Sequence, residues 1–359
     1  MSTVIHSAKG ALSRIAQKVR KNITVLRKIL PILSFFIPFL ILYSLYPKTF
    51  ESTWKGRTYY IYFLWLIFLE MVLSWEELQT NKVNRPHSIR TVAFIISLLF
   101  PTIYVVVANY YGLNAMIADL IKQNNIPWID WMLISIEYLV FVMLFISITL
   151  LEYGISGLKK FSISTFFLGT IGALYTIDNL CPYGRFTPFQ ILVPTTATLA
   201  ADVLNIMGYQ TQWLGTNNGM PVLIAWDSQK RYSAPLAIAW PCSGVESFLL
   251  YTGMILLFFK KTAIPWKHKV AYFIFGAVVT YFINILRIAT IFIISINGGN
   301  IWTFHDYYAQ LYSVTWIMSY PLIIIGTRSL WSKIRNKDIK HIEGLASEDR
   351  KNEITKGDT

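Results

Sequence analysis

Long apolar runs alternate with short polar stretches along most of the chain, and the length of the runs sets the reading. A membrane-spanning helix needs about 20 apolar residues. Eight segments approach or exceed that length, at roughly 29–47, 58–75, 91–111, 128–151, 161–178, 244–260, 269–297 and 304–332. Pro31, Pro38, Pro101 and Pro321 fall inside them, which membrane helices tolerate better than soluble ones. One stretch, 179–243, breaks the rhythm. Its first part, 186–208, is apolar but interrupted by Pro188 and Pro194 and carries Asp202. It predicts a helix lying at or dipping into the membrane interface, not a ninth span. Its second part, 209–240, reads as β structure. Asn217-Asn218-Gly219 is a turn signal, and two β-like runs flank Asp227-Ser228-Gln229-Lys230, the pattern of a hairpin with a four- or five-residue loop. The pattern as a whole predicts an all-α polytopic membrane protein of about eight transmembrane helices with a small extracytoplasmic β-hairpin insertion. It divides into a basic segment (1–28), five helices (29–178), the interfacial helix and hairpin (179–243), three further helices (244–332) and a charged tail (333–359).

Composition supports a membrane protein. The chain is 54% hydrophobic and 14% charged, against a usual charged share of about 25%. The net charge of +13 would suit a nucleic-acid binder, but the Lys and Arg sit in short loops between apolar runs, where they act as topology signals. Residues 1–28 carry Lys9, Arg14, Lys18, Arg20, Lys21, Arg27 and Lys28 and no acid. Lys82, Arg85 and Arg90, then Lys159 and Lys160, then Lys260, Lys261, Lys267 and Lys269 fall in alternate loops. The loops at 112–127 and 298–303 are nearly free of them. Both termini are therefore expected in the cytoplasm and 179–243 outside. Lys48, Lys55 and Arg57 form a mild exception in the loop at 48–57. The first apolar run is too long, and lacks the small-residue cleavage site, to read as a removable signal peptide. No CxxC, HExxH or GxxxxGK[ST] motif occurs, so no metal site, redox site or cofactor is expected, and no nucleic-acid partner.

Three distant residues are expected at one depth near the outer surface. Arg287 lies in the seventh segment, about 18 residues or about 27 Å from its inner end. An ionisable residue inside a membrane is by default a functional-site hypothesis. Asn284 shares its helix face. His305 opens the eighth segment, and Cys242, one of only two cysteines, precedes the sixth. A nearby cation and a helix N-terminus both favour a thiolate. The backbone N–H groups of Ser243 and Gly244 are candidates for holding an oxyanion. Histidine suits proton transfer to a leaving amine, and arginine can hold developing negative charge. Other readings stay open: a Cys181–Cys242 disulfide in a non-catalytic scaffold, a small buried cysteine, a structural bridge from Arg287 to Asp178 or Glu246, and a transporter or channel with an intramembrane Arg. Transporters usually show internal repeats and midplane sites, and this chain shows neither.

In order and spacing, Cys242-Ser243-Gly244, Asn284-Ile285-Leu286-Arg287 and His305, with Ser247 just after the glycine, resemble the exosortase/archaeosortase family over about residues 160–332. The stretch IDNLCPYGRFTPFQ, 177–190, resembles that family's archaeal, thaumarchaeosortase-like branch. Pro241 replaces the small residue common before the cysteine, and Glu246 adds an acid one turn from it. The resemblance implies a membrane cysteine transpeptidase without cofactor. Its partners would be membrane-anchored precursor proteins ending in a recognition motif, one helix and a basic cluster. Cys242 would attack the scissile carbonyl, and the new C-terminus would pass to a membrane lipid, another amine or water. A plain intramembrane protease is the rival within the enzymes.

Overall fold

The computed structural model describes residues 2–52, 55–78, 89–126, 129–181, 187–217, 219–227, 229 and 232–357, with the side chains of 2–21, 23, 24, 187, 189, 306, 307, 310 and 335–357 outside the description. Lys82, Arg85, Asn218, Ser228, Lys230 and the 182–186 part of the archaeal-type stretch therefore lie outside the described residues. Helix α1 runs Ser2–Leu45. It is followed by α2 Thr58–Leu73, α3 Ile89–Ser97, α4 Phe100–Tyr110, α5 Leu113–Gln123, α6 Ile129–Lys160, α7 Ser162–Leu180, the single turn α8 Thr187–Gln190 and α9 Leu192–Ile206. Strands β1 Gln210–Asn217, β2 Met220–Trp226 and β3 Ser233–Ala237 come next, then α10 Val245–Lys260, α11 Trp266–Ile296, the turn α12 Ile301–Thr303 and α13 Ala309–Gly357.

Among the described residues, four stretches are long and apolar enough to cross a membrane: Val25–Leu45, Ile89–Tyr110, Ile129–Lys160 and Trp266–Ile296. Shorter apolar helices accompany them. All eight apolar segments read from the sequence are helical over most of their length. Leu33, Phe36, Ile37 and Leu40 of α1, and Ile274, Phe275, Val278 and Phe282 of α11, point outward. An apolar belt of this kind suits lipid, not water. One stretch corrects the sequence reading: 112–127, taken as a loop, contains α5, whose Gly112 start is left-handed (φ 80°).

The first five spans pack around an aromatic core. Phe35 meets Phe63, Phe141 and Phe145 edge-on at centroid distances of 5.7–5.9 Å. Between membrane helices, packing and hydrogen bonds replace the hydrophobic drive that acts in water. Accordingly, Tyr60 donates to the Phe35 carbonyl (2.8 Å) and Tyr138 to the Gly56 carbonyl (2.6 Å). Helix α6 breaks at Gly154 (φ 68°, ψ −164°). Arg90 supplies the missing donors at the break, reaching the Leu151 and Leu150 carbonyls at 2.8 and 2.9 Å.

The expected hairpin is present as β2–β3, and the Asn217–Gly219 turn adds a third strand, giving the antiparallel order β1-β2-β3. Alternation along β2 buries Leu223 and Ala225 against Val193, Ala197, Ala200 and Leu204 of α9 and Ile288, Ala289 and Phe292 of α11. Helix α9 thus holds the sheet against α11, and Thr196 and Tyr281 share a 2.9 Å hydrogen bond across that contact. The last three long helices are tied by Ser247–Ser313 (2.9 Å), Trp316 to Thr280 (3.1 Å) and Tyr251 to the Phe273 carbonyl (2.8 Å). Gly276 permits the last contact, since a Cβ there would lie 2.3 Å from the Tyr251 hydroxyl.

Candidate active site

The chain leaves β3 and makes one tight 3-10 turn, Trp240–Ser243, before α10. Pro241 sits at the start of that turn, where its missing N–H costs nothing. The Cys242 N–H donates to the Ala239 carbonyl (3.0 Å), and the Ser243 hydroxyl closes on the Trp240 carbonyl (2.5 Å). Gly244 then takes a left-handed conformation (φ 95°, ψ 3°) as the cap of α10. Few other residues adopt this conformation cheaply. Asn284 of α11 fixes the turn from one side, its amide donating to the Cys242 carbonyl at 2.7 Å.

Cys242, Arg287 and His305 line one cavity of about 200 Å³, walled by Leu236, Ile238, Ile288, Ile291, Phe292 and Trp302. Cys242 is half-buried and its sulfur is free, as is that of Cys181, so the structure contains no Cys181–Cys242 disulfide. Arg287 is only 5% exposed. Its Nε–H and the Oδ1 of fully buried Asn284 have no hydrogen-bond partner. Buried polar atoms are nearly always paired; Arg287 lines the cavity, while Asn284 lies behind the Cys242 turn. His305 lies in a π-helical turn, Phe304–Tyr308, with its ring edge-on to Trp302 at 6.4 Å. π-Turns are frequent at functional sites.

The structural bridges considered for Arg287 are replaced by other pairings. Asp178 is taken by Lys55 (2.5 Å) and by the Trp240 indole N–H (2.6 Å). Glu246 accepts from the Tyr175 hydroxyl at 2.9 Å. Among the described residues no carboxylate lies within ion-pair distance of Arg287. Glu246 is still buried in the first turn of α10, within electrostatic reach of both Arg287 and His305.

Sequence reasoning passed over the residues behind the turn. Lys55 is 3% exposed. Besides Asp178 it reaches Asn179 Oδ1 at 2.7 Å and lies 4.8 Å from the Trp131 ring centroid. Burial pulls its pKa below the ordinary lysine value, against the opposing pull of Asp178. The signal for it was the basic excess at 48–57, which breaks the loop-charge rule because Lys55 and Arg57 serve buried acids. Arg57 grips Glu137 with two bonds, at 2.9 and 2.8 Å.

The fold and site define a class: a multi-pass membrane protein that gathers a free thiol, a buried guanidinium and an imidazole around an apolar cavity at its sheet-bearing end. The chain belongs to the transmembrane exosortase family, whose model matches residues 53–320. That family comprises cysteine transpeptidases that sort membrane-anchored precursor proteins carrying C-terminal signals. No curated protein matches the chain, and no solved structure does.

Proposed function

We propose that this chain cleaves the C-terminal sorting signal of membrane-anchored surface proteins on the extracytoplasmic side, using Cys242 as nucleophile, and transfers the new C-terminus to a lipid-type acceptor. The observation that supports it is the shared cavity, with a free thiol, an imidazole and an unpartnered buried Arg287 donor on its wall. The Cys242 thiolate adds to the scissile carbonyl carbon, and the oxygen takes up the negative charge. Arg287 donates to that oxygen, and Asn284 holds the Cys242 backbone so that the sulfur keeps its aim. Collapse of the adduct breaks the C–N bond, His305 delivers a proton to the departing amine, and a thioester remains on Cys242. The acceptor then attacks the thioester carbonyl, loses its proton to His305 and frees the Cys242 thiolate. The apolar wall limits water at the thioester, which favours transfer over hydrolysis.

The orientation follows from the Lys/Arg bias of the loops, and the archaeal branch from the stretch at 177–190. The test is co-expression with a membrane precursor ending in motif, helix and basic cluster. Cys242→Ala should abolish processing and Cys181→Ala should largely spare it. Cys242→Ser should be nearly inactive, because a hydroxyl without a strong base is a poor nucleophile. Equal loss from both alanine changes would sink the assignment.

A further inference from the structure

We propose that the Lys55–Asp178 pair positions Cys242, acting through the Trp240 indole. This rests on the reading of Cys242 as the nucleophile. Cys242 sits in a four-residue turn, and both faces of that turn are anchored. On one face, Asn284 of α11 holds the Cys242 carbonyl at 2.7 Å. On the other, Trp240, which opens the turn and is 4% exposed, donates its indole N–H to Asp178 Oδ1 at 2.6 Å. The second oxygen of Asp178 meets Lys55 Nζ at 2.5 Å. Lys55 is itself located by Asn179, whose amide donates onward to Ser135 Oγ at 3.0 Å.

The arrangement differs from a plain helix tether. The neighbouring Arg57–Glu137 pair places both carboxylate oxygens on one guanidinium, whose remaining nitrogen reaches Thr49 Oγ1 at 3.2 Å. Asp178 divides its oxygens, giving one to the cation and one to the residue two places before Cys242. A carboxylate buried here needs a compensating cation, and the lysine supplies it on one oxygen while the other is left to accept from the indole. Buried ion pairs contribute little net stability on average, so stability alone is a weak reason for this one. Its geometric product is a Trp240 that cannot turn, and hence a turn backbone fixed between α7 and α11. A shift of about 1 Å at a reacting atom can cost about 100-fold in rate.

The experiment uses the full chain in detergent micelles with a precursor peptide of the motif–helix–basic-cluster type. Trp240→Phe removes the N–H and leaves a large ring. It should lower kcat at least about tenfold, with KM within about twofold and normal abundance. Lys55→Met alone leaves a buried carboxylate uncompensated, and the protein should accumulate poorly. Lys55→Met combined with Asp178→Asn removes both charges and retains a side-chain carbonyl to accept from the indole. That double variant should recover abundance and bring kcat within about threefold of wild type. Wild-type kcat in Trp240→Phe overturns the proposal. So does a double variant that accumulates normally but stays as slow as Trp240→Phe, since a retained acceptor would then not restore position. Cleavage surviving in Cys242→Ala removes the nucleophile reading and this proposal with it. An inactive Cys242→Ala beside a fully active Trp240→Phe removes this proposal alone.

Discussion

Gly244→Ala tests how tightly the site is bound to its backbone. Gly244 holds φ at 95°, a region that costs an L-residue roughly 1–2 kcal/mol. A Cβ here would also lie 3.2 Å from Asn284 Nδ2 and 3.3 Å from its Cγ. Asn284 is fully buried, so it has little room to withdraw. If it yields, the atom that moves is the donor to the Cys242 carbonyl, and a buried polar group left unpaired costs about 1–3 kcal/mol. The two effects together come to roughly 2–5 kcal/mol. Gly208→Ala isolates the first effect, because Gly208 holds φ at 89° with nothing within 4 Å of its added Cβ. Both variants are compared in detergent by thermal midpoint and by precursor cleavage. Gly208→Ala should lose a modest amount of stability and keep kcat. Gly244→Ala should lose more stability and at least about tenfold in kcat. A Gly244→Ala that matches Gly208→Ala in both assays would refute the claim that Asn284 holds Cys242 in place.

Three other perturbations follow from the same geometry. Arg287→Lys should insert and accumulate normally but cleave little or nothing, since lysine keeps charge without the planar fork; low abundance with normal specific activity would make Arg287 structural. Arg57→Met should destabilise the chain by about 3–5 kcal/mol by stranding buried Glu137, and unchanged thermal midpoints would contradict the bidentate pair. A reporter fused after Lys230 should lie outside the cell and one after Lys261 inside, and a cytoplasmic residue 230 would overturn the orientation on which the extracytoplasmic site rests.

The apolar runs were readable because a bilayer imposes length and composition on every span, and the helices fall where the runs lie. The three candidate residues stand out in the sequence because a Cys, an Arg and a His occupy rare positions, and the structure brings them to one cavity. Two kinds of feature were not legible. Helix α5 hid in a loop because its mixed surface gives no run of membrane length. The ion pairs hid because their partners are far apart in sequence: Lys55 finds Asp178, Arg57 finds Glu137, Arg27 finds Glu152 at 2.7 Å and Lys260 finds Glu70 at 2.5 Å. Each acid sits in or at the edge of an apolar run and meets a cation from another segment, and no local pattern names that segment. Nothing local marks Trp240 as a partner of Asp178, a residue 62 positions away.

The central claim is that Cys242 carries the acyl group, and the most direct measurement is mass spectrometry of the Cys242 peptide after acid quench of a reaction with a precursor peptide in detergent. The account predicts a thioester adduct carrying the new C-terminus of the precursor on Cys242. That adduct should be lost on treatment with neutral hydroxylamine and absent from Cys242→Ala. An adduct on Cys181 instead, or cleavage that proceeds in Cys242→Ala, would contradict it.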